Sequence, residues 1–332
     1  MEVKMTKSKP KSKIVIIGGG SGLPVIIKPL VQEDVDLTAV VTVADDGGSS
    51  GVLRNYINVV PPGDIRNILV AMATNTEPDI LSILQYRFNA QDDFFAKHAV
   101  GNLIIAALIE KYDDVFEAVQ RMADFLHIKG HVYPVSNEPL VLHAEFKDGQ
   151  QQAGESEITH AHKTIDHVWV TGDEVGEEPQ AAPAVLRAIQ DADLIVYGPG
   201  SLFTSILPNV VVPEVGEALR TTKAKQVYIA NIMTQKGETD AYTDAQHLLA
   251  LNAHIGEQTV DYVISNATKV PDDFVDFQRW NEISSQVKLD QAAVQVQHAQ
   301  QIAGDFLDLR DSGAFHDGHK ITQELLKILE NN

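Results

Sequence analysis

The sequence predicts an α/β protein: a mostly parallel sheet flanked by helices, with a small antiparallel β insertion. Three observations predict it. Short, β-branched apolar runs at Ile14–Ile17 and Leu37–Val43, and the apolar run after Asp193, have the length and composition of strands buried on both faces. Two of these runs lead straight into a glycine turn and then a helical pattern, the order that builds parallel units. Between Lys129 and Val170 the texture changes to shorter segments that alternate or run apolar, as antiparallel strands do.

The first unit is Lys13-Ile-Val-Ile-Ile-Gly-Gly-Gly-Ser-Gly-Leu-Pro24. Its strand ends in Gly18, Gly19, Gly20 and Gly22, and Pro24 suits the first turn of a helix over Val25–Val31. A plain βα turn needs one glycine, whereas four expose bare backbone amides and a helix N-terminus to an anion such as phosphate. The second strand ends in Ala44-Asp-Asp-Gly-Gly-Ser-Ser-Gly51, which places two carboxylates at the carboxyl end of a parallel strand, where open α/β sheets bind ligands. Asp45 and Asp46 should point opposite ways if the strand persists. In Pro61-Pro-Gly-Asp64-Ile-Arg66-Asn67, Asp64 reads either as an N-cap or as a partner of Asp45 around a hydrated Mg²⁺. Arg66 would then offer a bidentate grip on phosphate.

Helical patterns follow at Ile80–Phe88, Leu103–Lys111 and Val115–Leu126, with His98 and Asn102 at a helix start. Val132–Val135, Leu140–Phe146 and His167–Val170 are the strands expected in the insertion. His160, His162 and His167 fall there, but their spacing matches no usual zinc site. A helix at Ala184–Gln190 precedes the second glycine unit, in which Gly198, Pro199 and Gly200 turn the chain. Ser201, Thr204 and Ser205 put hydroxyls at the following helix, suited to a base, ribose or phosphate, or to a serine cap. Strands at Gln226–Ala230, ending in Asn231, and at Val260–Ser265 complete the sheet, and Ile321–Leu329 is the closing helix. Pro271–Gln300 is polar and has no clear pattern. The expected organisation is a first half of the core over 13–128, the insertion over 129–180, and a second half with the closing helix over 181–332.

Composition narrows the function. The 26 Lys and Arg against 46 Asp and Glu give a charge of −20, which opposes binding to nucleic acid or an anionic membrane surface. There is no cysteine, which excludes thiol nucleophiles and cysteine metal sites and fits a reducing compartment. No segment has transmembrane length and the basic leader lacks an apolar stretch, so a cytoplasmic protein without membrane insertion is expected.

Several motifs, in order, resemble one family. They are Ile17-Gly-Gly-Gly-Ser-Gly-Leu23, Asp45-Asp-Gly-Gly-Ser-Ser-Gly51, Pro62-Gly-Asp-Ile-Arg-Asn67, Gly101-Asn-Leu103, Gly198-Pro-Gly-Ser-Leu-Phe-Thr-Ser-Ile-Leu-Pro-Asn209 and Asn231-Ile-Met-Thr-Gln-Lys-Gly-Glu-Thr239. The chain thereby resembles the gluconeogenesis factor family, related to the 2-phospho-L-lactate transferases of deazaflavin coenzyme synthesis. The resemblance implies a Rossmann-like core with a smaller appended part and a nucleoside-diphosphate site. It implies a cytoplasmic protein that binds UDP-sugars such as UDP-N-acetylglucosamine and supports cell shape and wall synthesis on gluconeogenic carbon sources. No reaction is firmly attached to that branch; a homodimer is the expected assembly.

By position, Asp45 and Asp64 match the acidic pair that lies near the acceptor and a divalent cation in the transferase relatives. They are the catalytic and Mg²⁺-binding candidates if this chain is an enzyme. The remaining ligand-binding candidates are Gly18, Gly19, Gly20 and Ser21; Asp46, Gly47, Gly48 and Ser49; Arg66, Asn67 and Asn102; Gly198, Pro199, Gly200, Ser201, Thr204 and Ser205; and Asn231. Two departures stand out. Phe315 precedes His316-Asp317 where the family pattern often has Arg, which removes a cation from the sugar-diphosphate contact, and Lys236 occupies a proline position. A nicotinamide-dependent dehydrogenase is the competing reading of the first strand and Asp45. Its glycine fingerprint fails, because Leu23 stands at the third glycine position.

Overall fold

The computed structural model describes residues 11–47, 53, 60–89, 98–172 and 178–331. Its centre is a seven-stranded sheet. In chain order the strands are β1 (Ser12–Gly18), β2 (Val35–Val41), β3 (His131–Pro134), then, after an insertion of three short strands, β7 (Leu194–Tyr197), β8 (Lys225–Ile229), β10 (Tyr262–Asn266) and β12 (Gln300–Gly304). The insertion holds β4 (Leu140–Phe146), β5 (Gln151–Ala153) and β6 (Ile165–Gly172), and β9 (Met233–Gln235) lies between β8 and β10. The sheet order is β12-β10-β8-β7-β1-β2-β3, and every neighbouring pair is parallel.

The central strands are apolar because both of their faces are covered. Ile14, Ile16, Ile17, Val40, Val41 and Val196 are fully buried. Each such side chain contributes about 1.5–3 kcal/mol by leaving water. Helix Pro24–Leu30 starts on its proline as expected, and the closing helix Gly318–Glu330 packs against it. Among the described residues no single helix is long and apolar enough to cross a membrane.

Two features differ from the sequence expectation. Val132, expected in the antiparallel insertion, lies in β3, which pairs in parallel with β2 from Thr38↔His131 to Val41↔Pro134. At the rim of the main sheet β3 shows the exposed-buried alternation of a half-covered strand, which mimics an antiparallel one. The rest of the insertion is antiparallel, in the order β5-β4-β6. Leu140, Leu142, Ala144 and Phe146 form its buried face.

The second difference is in the polar stretch that resisted placement. It contains β11 (Ile283–Gln286), which pairs antiparallel with β9, and the helix Gln291–Val296 leading into β12. A further hairpin follows, β13 (Leu307–Arg310) with β14 (Gly313–His316). These pieces enclose a satellite core of Ile232, Met233, Val270 and Val275, with Trp280, Ile283 and Leu309 packed on it.

Candidate functional site

The sheet order reverses between β1 and β7: from β1 the chain builds outward through β2 and β3, and from β7 outward through β8, β10 and β12. Connections on the two sides of such a point diverge and leave a crevice beyond the carboxyl ends of the strands. Both glycine turns stand there. The turns touch closely: a Cβ on Gly22 would lie 2.9 Å from the Pro199 carbonyl oxygen. Gly20 has φ +69°, a left-handed conformation open to glycine at little cost.

A cleft of about 380 Å³ opens between them. Of the sequence candidates, Gly20, Ser21, Pro199, Gly200, Ser201, Thr204, Ser205 and Asn231 line it. Gly18, Gly19 and Gly198 stand behind it as the strand ends that shape the turns. Ser201 caps a single π-helical turn, Leu202–Ile206, accepting from the Thr204 amide at 3.3 Å and from the Thr204 hydroxyl at 2.7 Å. Short π segments recur at functional sites because they re-aim side chains. Ser201 thus acts as the cap foreseen for it while also lining the cleft.

Asp64 is not an N-cap. Pro61 and Pro62 start the helix Pro62–Met72 ahead of it, so Asp64 falls in the first turn. Its carboxylate instead accepts the Gly20 amide at 2.6 Å. Burial, and then the charge of Asp45, push the Asp64 carboxyl up to about 6. Asp45 accepts from the Gly47 amide, while Asp46 accepts from the Ser156 amide of the insertion at 2.8 Å. The two aspartates therefore serve different neighbours, and Asp46 ties the core to the insertion.

Arg66 is held by side chains of the chain itself. It is 3% exposed, and its two terminal nitrogens donate at 2.7 Å to Asn102 Oδ1 and Asn67 Oδ1. Arg66, Asn67 and Asn102 thus form one hydrogen-bonded cluster, Arg66 and Asn102 buried and Asn67 partly so, and none of the three is among the residues that line the cleft. Gly48 and Ser49 lie outside the described residues.

The cleft wall also holds acids the sequence did not single out. Glu155, at the start of the insertion helix Glu155–Ala161, and Glu238, after β9, both line it, as does Glu282. Burial, reinforced by Asp45, Glu238, Asp46 and Asp64, pushes the Glu155 carboxyl up to about 8. Burial raises Glu238 to about 7, although the Ser201 hydroxyl donates to it at 2.5 Å. No Lys or Arg stands among the described lining residues. The one signal for Glu238 was its place in the Thr-Gln-Lys-Gly-Glu-Thr motif; Glu155 had none, since it acts on residues about a hundred positions away.

Comparisons with known proteins agree with this architecture. The family model described as 2-phospho-L-lactate transferase CofD matches residues 14–307. A Listeria monocytogenes protein named gluconeogenesis factor is 41% identical over 325 residues, covering 98% of each chain. A Lactococcus lactis protein assigned to the gluconeogenesis factors is 48% identical over 316 residues, covering 95% of this chain and 96% of that one. The crystal structure of a Bacillus halodurans protein superposes with a TM-score of 0.90 at 37% identity, covering 95% of this chain and 99% of that one.

Proposed function

The chain belongs to the CofD family, and from that premise we propose that it binds a nucleoside-diphosphate sugar of the UDP-N-acetylglucosamine kind. In this reading it is a cytoplasmic factor that couples the ligand to cell shape and wall synthesis during gluconeogenic growth. One observation carries the binding proposal: two glycine turns and three hydroxyls converge on one cleft at the switch point of the sheet. The backbone amide of Ser21 and the hydroxyls of Ser201, Thr204 and Ser205 would receive phosphate and ribose oxygens, the Gly20 amide being held by Asp64.

Where the acids of the wall are ionised, above about pH 7 to 8, a diphosphate would need a counter-charge to enter. Among the described residues no three His, Asp or Glu side chains converge on one point. A hydrated Mg²⁺ needs only one or two carboxylates and keeps its remaining waters, so the all-oxygen pair Asp45 and Asp64 fits it. Bound there, the ion would neutralise the acid wall and polarise a phosphate oxygen.

A second reading shares the site: a Mg²⁺-dependent transferase resembling 2-phospho-L-lactate transferase, using a nucleotide-activated donor. The observation favouring it is the survival of both carboxylates beside the glycine turn, with Asp64 anchored on Gly20. Asp64, whose carboxyl burial raises to about 6, would in its ionised form accept the proton of the attacking hydroxyl.

Thermal-shift measurements with UDP-N-acetylglucosamine, GDP, NAD and NADP test the reading. A true ligand at a hundredfold its dissociation constant adds about 2.7 kcal/mol. Stabilisation by NAD alone would overturn it. Consumption of labelled donor with Mg²⁺ and cell extract would favour the transferase, and binding without turnover the regulatory factor.

A further inference from the structure

We infer that the apolar end of the cleft is a nucleobase platform, with the Phe315 ring as its stacking surface. This rests on the nucleotide reading above and says which end of the ligand goes where. The cleft has two chemically distinct ends. One is the amide and hydroxyl end described already. The other is built from Ile232, Met233, Ile283, Ala314 and Phe315, which line the same cleft but belong to the satellite core and its hairpin. With Phe315 in place of the family's arginine, the described lining at this end offers a phosphate no cation, only apolar groups and the carboxylate Glu282, and Arg310 is turned onto the ring. Against Ile232, Met233, Ile283 and Ala314 the hydroxyls of a sugar would find no partner. The face of a planar base needs none, because it presents no hydrogen-bonding atoms.

Phe315 is prepared for that role. Trp280 meets its ring edge-on, with centroids 5.3 Å apart and planes at 80°. The Trp280 indole is itself fixed by donating to the Asp311 carbonyl at 3.2 Å. Arg310 lays its guanidinium 4.4 Å from the centroid of the Phe315 ring. Gly313 makes the arrangement possible, since a Cβ there would press within 2.7 Å of Trp280 Nε1 and 2.9 Å of Phe315 Cε2. The ring is thus held before any ligand arrives, so stacking costs little ordering entropy. The carboxamides of Asn231 and Gln235 stand in the same wall, each with a buried oxygen that has no hydrogen-bond partner among the described residues. Their unused capacity suits the donor and acceptor edge of a base.

The test uses titration calorimetry on the full chain with UDP, UDP-N-acetylglucosamine and inorganic pyrophosphate. Phe315→Ala should weaken UDP and UDP-N-acetylglucosamine alike by about tenfold or more, the range of one aromatic–base stack, and leave pyrophosphate unchanged. Phe315→Tyr should restore wild-type affinity for both nucleotides. Should the alanine variant fail to fold, Phe315→Leu, which keeps apolar volume but not the ring face, takes its place. Unaltered UDP affinity in the variant overturns the inference. So does a loss confined to UDP-N-acetylglucosamine, which would assign the ring to the sugar, or an equal loss for pyrophosphate. Wild-type protein that binds pyrophosphate no worse than UDP also overturns it, while sparing the anion site. Wild-type protein that binds none of the three overturns the nucleotide reading itself.

Discussion

Replacing Glu155 by Gln should stabilise this protein near pH 8 and leave it unchanged near pH 4.5. The side chain keeps its size and loses only a charge that Asp45, Glu238, Asp46 and Asp64 oppose. The folded state holds the Glu155 proton up to about 8, against 4.5 for the free group. Between those values unfolding releases a proton, so stability falls as pH rises and the penalty is complete above about 8. The whole displacement corresponds to a ceiling of about 5 kcal/mol. Glu155 is partly exposed beside the cleft, and screening by solvent reduces the net gain to about 1–2 kcal/mol. The assay is urea unfolding of wild type and Glu155→Gln with EDTA, at the two pH values. The midpoint of the variant should lie higher at pH 8 and coincide with wild type at pH 4.5. Added Mg²⁺ should narrow the pH 8 gap by stabilising wild type more. A variant no more stable at pH 8, or equally more stable at both, would refute the acid-wall argument.

Asp64→Asn keeps an oxygen to accept the Gly20 amide and removes a charge that burial and Asp45 oppose, so without metal the thermal midpoint above about pH 6 should rise rather than fall, while stabilisation by Mg²⁺ falls at least severalfold in the same melt. Asp45→Asn should likewise spare folding but change the ligand or metal response; an unchanged response would remove Asp45 from the site. Gly22→Val would drive a side chain into the Pro199 carbonyl and part the two turns, so nucleotide binding should be lost in calorimetry while the far-ultraviolet spectrum keeps its α/β form. Ser201→Ala removes the cap on the Thr204 amide at a cost of about 1 kcal/mol, and by taking a donor from Glu238 should steepen the loss of stability between about pH 6 and pH 8 in urea melts. Mg²⁺ and the nucleotide should each raise the affinity of the other by the same factor, a reciprocity that paired titrations check directly.

What could be read from the sequence was local. Ile14–Gly22 announces strand, turn and anion-ready amides within nine residues, and Gly198–Ser205 does so again, because each depends on neighbours in the chain. Asp64 was ambiguous for a local reason too: two prolines decide where its helix begins, and the outcome turned it toward Gly20 rather than its own amides. The missed strand β12, Gln300–Gly304, is polar because it edges the sheet, so burial left no signature in its composition. At Arg66 the sequence shows a cation near glycine but not Asn102, which reaches it from another helix and accepts from its guanidinium.

The acid wall was illegible for the deepest reason. Glu155 matters only because Asp46 accepts the amide of its neighbour Ser156, a contact 110 residues away that brings the insertion onto the core. That contact sets the character of the site. The glycine turns alone would make a standing phosphate pocket, open to any anion of the right size. With Glu155 and Glu238 folded onto them, the turns face a wall of acids that becomes negative only as pH rises past about 7 to 8, with no Lys or Arg among its described residues. On the nucleotide reading, a diphosphate would meet ionised carboxylates only as pH rises past about 7 to 8, so occupancy should fall there unless a cation such as Mg²⁺ is supplied.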